Sequence, residues 1–250
     1  MLKKLDSFAG VAGPLVVVVM DGYGLPENPV GSAIAEARQP NLDRLFASSP
    51  HIRLRAHGTA VGMPSDDDMG NSEVGHNAIG AGQVYAQGAA LVANAIAEGT
   101  IWAGQAWQEI VGAAQDGVLH FIGLFSDGNV HSHIDHLRAM VERAKAEGVK
   151  TVRIHVLLDG RDVPETSALD YVVPFEAFLA GISDAGFDAR IASGGGRQNI
   201  TMDRYDANWP MVERGWRTHV LGEGPQFASA SAAVEALRAQ YPGTIDQDLP

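Results

Sequence analysis

The 250-residue sequence contains no cysteine. That absence excludes disulfide staples, thiolate metal sites, iron–sulfur clusters and cysteine nucleophiles together, so any metal has to be held by oxygen and imidazole. It also fits a reducing compartment, and the chain is read as cytoplasmic. Basic residues are scarce beside acidic ones: 18 Lys and Arg stand against 30 Asp and Glu, for a net charge of −12. With no run of lysine or arginine, a sequence-independent grip on nucleic acid or on an anionic membrane is not expected, although phosphate can still be bound locally. Long hydrophobic runs are missing as well. The aliphatic stretch Leu15–Met20 lies between Pro14 and Asp21, far short of the ~20 residues of a membrane span. Lys3 and Lys4 precede it, but no small-residue cleavage site follows as in a signal peptide.

What is present describes a folded chain of one or two domains: 46% of residues are apolar and 19% charged, which is globular rather than disordered composition. The 29 glycines exceed the usual share of about 7% and announce many tight turns. Leu15–Met20 reads as a strand buried on both faces, with Asp21 at its carboxyl end, where open α/β sheets collect ligands; a plain Asp-Gly turn reads equally well. A short helix around Asn41–Phe46 and an extended segment His51–Arg55 lead into a glycine- and acid-rich loop, Gly58–Gly75. Small residues dominate from Asn77 onward, and a domain boundary is placed near Tyr85, giving units 1–84 and 85–250.

The second unit alternates. Val118–Phe125, a helix with Ile134, Leu137, Met140, Val141 and Ala144 on one face, and Val152–Leu158 form a βαβ pattern, with Gly148 as the helix C-terminal cap. Helix-like Ala168–Leu179, strand Ala189–Ala192, strand Thr218–Leu221 and helix Ser229–Tyr241 continue it, which predicts a mostly parallel sheet. The acid-glycine loops Ser126-Asp127-Gly128-Asn129 and Asp159-Gly160-Arg161-Asp162 should then emerge on one rim, the expected binding edge. The first 84 residues offer only two convincing strands, too few for an independent sheet.

Ser72, in Gly70-Asn71-Ser72-Glu73-Val74-Gly75-His76, stands where a glycine-rich loop enters a helix. Unpaired backbone N–H groups and the helix dipole there stabilise an alkoxide or an attached phosphate, and an ordinary N-cap serine satisfies the same pattern. Arginines near the rim read singly as surface ion pairs. His133 and His136 are read as structural, Asp66-Asp67-Asp68 as a solvated loop rather than a cation site, and His76 as a brace for the Ser72 loop.

Asp21-Gly-Tyr-Gly after a strand, the Ser72 segment, Ser126-Asp-Gly-Asn-Val-His-Ser-His133, Asp159-Gly-Arg-Asp162, and Gly196-Arg197 with Met202-Asp203-Arg204 occur in this order. Together they closely resemble the cofactor-independent phosphoglycerate mutases of the alkaline phosphatase superfamily, and Gly-Gly-Gly-Arg with Met-Asp-Arg-Tyr-Asp is similar to the plant and trypanosomatid type. The resemblance implies an α/β fold: part of an alkaline-phosphatase-like metal-binding domain, then a substrate (phosphotransferase) domain. It implies an isomerase of glycolysis and gluconeogenesis that interconverts 3-phosphoglycerate and 2-phosphoglycerate through a phosphoserine, with two divalent metal ions, manganese or magnesium, and no bisphosphoglycerate. Motif by motif, Ser72 is the nucleophile and a metal ligand, Asp21 a metal ligand, and His131, Arg161, Asp162, Arg197 and Arg204 the substrate site. Asp162 is also the proton-moving group. Arginine forks suit phosphate and carboxylate, and a carboxylate beside them can move a proton to or from a hydroxyl.

Members of the family are about twice as long, as a two-domain enzyme would be. The resemblance therefore implies a chain inactive or nearly so alone, with the carboxyl-terminal half as a partner in trans and a monomeric complete enzyme. Two other readings compete: another phosphomutase or phosphatase of the same superfamily, and a non-catalytic phosphoglycerate-binding module.

Overall fold

The apolar segments after residue 118 assemble into a parallel sheet. The computed structural model describes residues 3, 5–25, 28–201 and 208–250, in two units, Met1–Arg55 and Ala56–Pro250. The Met202-Asp203-Arg204 motif lies outside the described residues.

In Met1–Arg55 the helices are α1, Ala33–Glu36, and α2, Pro40–Ser48. Ser32 caps α1 through its side chain, and Pro40 opens α2, where its missing N–H costs nothing. The strand expected at Leu15–Met20 joins no sheet among the described residues. Its side chains face solvent, Leu15 at 76% and Val18 at 77% exposure, and Ile52 in the second expected segment is 82% exposed. The physical reason is the one the pattern itself carries: a strand apolar on both faces needs hydrogen-bonded neighbours and two covering layers, and this unit supplies neither among its described residues.

In Ala56–Pro250 the order is α3, Ser72–Ala81; α4, Gly88–Ala97; α5, Gln105–Ala114; β1, Leu119–Leu124; α6, Ile134–Ala146; β2, Thr151–Leu158; α7, Ala168–Ile182; β3, Asp188–Gly196; α8, Arg197–Ile200; α9, Trp209–His219; and α10, Ala230–Gln240. The strands form one parallel sheet ordered β1-β2-β3, with Leu119 opposite Val152 and Val152 opposite Ala189. Gly148, at φ 91°, follows α6 and donates its N–H to Lys145, the left-handed stop expected of it.

The strand expected at Thr218–Leu221 is not one: Thr218 and His219 end α9. Asn208 caps that helix on Met211 N and Pro210 lies in its first turn, so strong start signals upstream override a four-residue run in which only Thr218 and Val220 are β-branched.

One face of the sheet carries Val152, Ile154 and Val156 into a core with Val111 of α5, Val141 of α6, Val172 and Phe175 of α7 and Val234 of α10. Phe125 meets Phe175 edge to face, with centroids 5.0 Å apart, a favoured aromatic geometry. The alternate residues Thr151, Arg153 and His155 of β2 are polar. His155 Nε2 lies 2.9 Å from His120 Nδ1, and its Nδ1 lies 2.6 Å from Ser193 Oγ, which is itself 2.7 Å from His219 Nδ1. Burial first, then His219 and His120, lower His155 to about 4.

Phe175→Ala empties the centre of this core and is expected to cost about 3–5 kcal/mol of stability, read as a lower urea midpoint at unchanged slope. His155 is neutral in the fold down to about pH 4, whereas in the unfolded chain it takes up its proton near 6.5. The unfolded state thus binds more protons between these values, so stability declines as pH falls from about 6.5 toward 4. Denaturant titrations at pH 7 and pH 5 should show that loss, and His155→Gln should reduce it.

Candidate functional site

Parallel strands deliver their carboxyl ends to one rim, and three loops meet there. Asp159, at the end of central strand β2, is 3% exposed. Its Oδ1 accepts from the backbone N–H groups of Arg161 at 3.1 Å and Asp162 at 3.0 Å and from Arg197 Nη1 at 2.9 Å. Its Oδ2 accepts from Ser126 Oγ, in the loop after β1, at 2.6 Å. Arg197 begins α8 after β3, is 2% exposed, and also donates to Asp162 Oδ2 at 2.9 Å. Removing one member of such a buried pair strands the other charge, at a cost of about 3–5 kcal/mol.

The backbone permits this convergence. A Cβ on Gly196 would overlap the carbonyl of Gln247, and the Gly196 N–H donates to Leu249 O at 2.8 Å, so only glycine lets β3 pass that close before Arg197. In the loop after β1, Tyr171 of α7 donates its hydroxyl to Asp127 at 2.6 Å; burial first, then this bond, push the phenol above its ordinary value. His131 is exposed and lines a cleft of about 330 Å³ with Asn129, His133 and His136. His133 caps α6, its Nδ1 accepting from Asp135 N at 3.1 Å. Arg161 is exposed at the rim.

Ser72 is the first residue of α3, and the cap is Asn71, whose side chain accepts from Val74 N at 3.0 Å. The Ser72 hydroxyl is thus not spent on capping and stays exposed at a helix N-terminus, the place where an oxyanion or phosphate is stabilised. His76 Nδ1 lies 2.7 Å from the Ser72 carbonyl oxygen and 3.3 Å from Ser72 Oγ. A carbonyl only accepts, so this nitrogen carries the proton and braces the first turn; it has no lone pair left to draw the proton from Ser72.

Asp21 is an exposed carboxylate of the unit Met1–Arg55. No group of three or more His, Asp or Glu able to hold a metal occurs among the described residues. The carboxylate of Asp21 and the hydroxyl of Ser72 are fewer donors than a divalent ion of this class takes, about six for magnesium, so these two by themselves do not make a metal centre. In the acidic loop Asp66 and Asp67 are exposed, in line with the solvated reading, and Asp68 is half-buried; Asp66 Oδ1 accepts from Thr59 N at 3.0 Å, and Asp68 accepts from Ser65 and from Asn129 Nδ2. Asp159, Ser126, Asn129 and Asp68 are the residues here that motif reading left out of the site. For Asp159 the signal is present, an Asp-Gly directly after a buried strand; Asn129 and Asp68 lie in loops the sequence marks out, but nothing signals their pairing across 61 positions.

Residues 92–250 match the family described as BPG-independent PGAM N-terminus. A probable 2,3-bisphosphoglycerate-independent phosphoglycerate mutase of Leptospira interrogans is 56% identical over 240 residues, covering 94% of this chain and 44% of that protein. The 2,3-bisphosphoglycerate-independent phosphoglycerate mutase of Trypanosoma brucei brucei is 48% identical over 239 residues, 94% of this chain and 43% of its own. A crystal structure of Leishmania mexicana phosphoglycerate mutase at low cobalt concentration superposes with a TM-score of 0.80 at 49% identity, covering 86% of this chain and 40% of that one. The chain thus spans less than half the length of these relatives. It belongs to the 2,3-bisphosphoglycerate-independent phosphoglycerate mutase family, whose amino-terminal region it matches.

Proposed function

We propose that this chain supplies the nucleophile and much of the substrate site of an enzyme that interconverts 3-phosphoglycerate and 2-phosphoglycerate. The observation that carries the reading is the strand-end rim, where Arg197, Asp162 and the Arg161 loop are drawn together around one buried carboxylate. Arg161, Arg197, His131 and, outside the described residues, Arg204 bind the phosphate and the carboxylate of the substrate. Ser72 Oγ attacks phosphorus; the Oγ–P bond forms as the bond from phosphorus to the 3-oxygen breaks, and Asp162 gives that oxygen a proton. Once the bound glycerate has turned, its 2-hydroxyl loses a proton to Asp162 and takes the phosphoryl group back, freeing Ser72.

The proton of Ser72 has to leave in the first step, and the His76 Nδ1 that faces this hydroxyl already carries one. Its acceptor, with the ligands that manganese or magnesium would need beyond Asp21 and Ser72, belongs to the part of the longer relatives that this chain does not span. The exposed segments Leu15–Met20 and His51–Arg55 fit the same reading, since a completed phosphatase-like domain would give them partner strands and would place the domain border near 84/85. The complete enzyme acts as a cytoplasmic monomer on a small-molecule substrate, without nucleic acid, membrane or bisphosphoglycerate. No helix among the described residues is long and apolar enough to cross a membrane.

Conversion of 3-phosphoglycerate to 2-phosphoglycerate, measured with manganese and without bisphosphoglycerate, tests this. The chain alone is expected to show no turnover. Adding the carboxyl-terminal remainder of the Leptospira relative is expected to produce it, and Ser72→Ala to abolish it. Turnover by the chain alone would refute the missing acceptor and ligands, and turnover that survives Ser72→Ala would refute the phosphoserine.

A further inference from the structure

We propose that the Asp68–Asn129 hydrogen bond is the tie that holds the Ser72 loop to the strand-end rim, so that ligand at the rim and the Ser72 turn respond together. This rests on the reading above, in which Ser72 and the rim serve one substrate.

The loop from Gly58 to Gly70 is closed on itself. Gly58 N donates to Asp68 O at 3.0 Å, and Asp68 Oδ2 accepts from Ser65 N at 2.7 Å and Ser65 Oγ at 2.8 Å. A Cβ on Gly70 would overlap the carbonyl of Ala56, so the chain two residues before Ser72 runs flush against the start of the loop. Val61, Met63 and Val74 form a small apolar cluster that joins this loop to α3. Gln87, at the start of α4, donates its backbone N–H to Gly62 O at 2.8 Å and its side chain to Val61 O at 3.1 Å. Loop, Ser72 turn and α4 entry are therefore one packed body.

Asn129 reaches that body from the rim. Its Nδ2 donates to Asp68 Oδ1 at 2.6 Å, a charge-assisted bond of the strong class. The residue is buried and sits at φ 54°, a left-handed backbone that asparagine tolerates better than most residues. The geometry thus spends conformational energy to aim this side chain. The neighbouring residue, Gly128, packs against Asp162: a Cβ there would meet the Asp162 Cβ at 3.0 Å. A continuous path follows from the Ser72 turn through Asp68 and Asn129 to Gly128 and the proposed proton-moving carboxylate. Burial works to raise the Asp68 carboxyl, and the hydrogen bonds from Asn129 and Ser65 outweigh it and hold the group below the usual carboxylate range, so the acceptor is charged at neutral pH.

The test is amide hydrogen exchange on the 250-residue chain, with and without 3-phosphoglycerate. In the parent chain, 3-phosphoglycerate is expected to slow exchange at the rim and in Gly70–Val74. Asn129→Ala should raise exchange of Gly70–Val74 about tenfold or more and abolish their response to 3-phosphoglycerate, while β2 stays protected. Asn129→Asp, which sets two carboxylates together, should do the same. Combining it with Asp68→Asn restores an amide facing a carboxylate with the roles exchanged, and both protection and response should return; this rescue also keeps the test decisive if Asn129→Ala fails to fold. Unchanged exchange in Asn129→Ala, or a double variant no better than Asn129→Asp, would overturn the tie. If 3-phosphoglycerate leaves the rim of the parent chain unaffected, the substrate reading of the rim fails instead, and the swap still decides whether the tie exists.

Discussion

A carboxylate out of water survives only if its oxygens are fully engaged, and Asp159 meets that demand with four donors drawn from three loops. Because β2 is the central strand, the loops after β1 and β3 lie on either side of it. Ser126 comes from the first and Arg197 from the second. The cost of burying this charge is offset only when all three loops adopt one arrangement. That arrangement also presents Arg161, Asp162 and His131 at the rim. Site and fold are therefore held by the same bonds, which is how a scaffold limits the reorganisation left to the moment of binding.

The Ser72 end is organised by different physics. Asn71 takes the capping role, His76 spends its Nδ1 proton on the first turn, and close glycine contacts fix the loop ahead of it. The serine is left exposed near the positive end of a helix dipole, and the nitrogen of His76 that faces it carries a proton. In the proposed reading this hydroxyl takes the phosphoryl group, and no group among the described residues is seen to activate it. The proposal fits a chain spanning less than half of its relatives: positioning is proposed to reside here, and activation to come from the remainder.

The βαβ unit is readable because its periods are strong and local: a mostly apolar run at 118–125 and the alternation of Val152, Ile154 and Val156 with Arg153 and His155 flank a helix with a clean face, and Gly148 ends that helix in the left-handed conformation. Thr218–Leu221 looks extended locally, with Thr218 and Val220 β-branched, but the Asn208 cap and Pro210 upstream carry the helix through His219. Leu15–Met20 had the composition of a doubly buried strand, but strand formation depends on neighbours, which no local pattern reports. Ser72 was singled out by its loop and by family resemblance, while its freedom from capping emerged only in three dimensions. Asp159 stood within a quoted motif yet drew no role, because a buried hub is defined by what surrounds it. The contact between Asp68 and Asn129 is illegible for the same reason.

Calorimetric titration of the 250-residue chain with 3-phosphoglycerate, beside Asp159→Asn, tests most directly whether the rim is assembled here around one carboxylate. Saturable binding by the parent chain, weakened about tenfold or more by Asp159→Asn with the far-ultraviolet circular dichroism unchanged, is the expected result. Equal affinity in the two, or no binding by a folded parent chain, would contradict it.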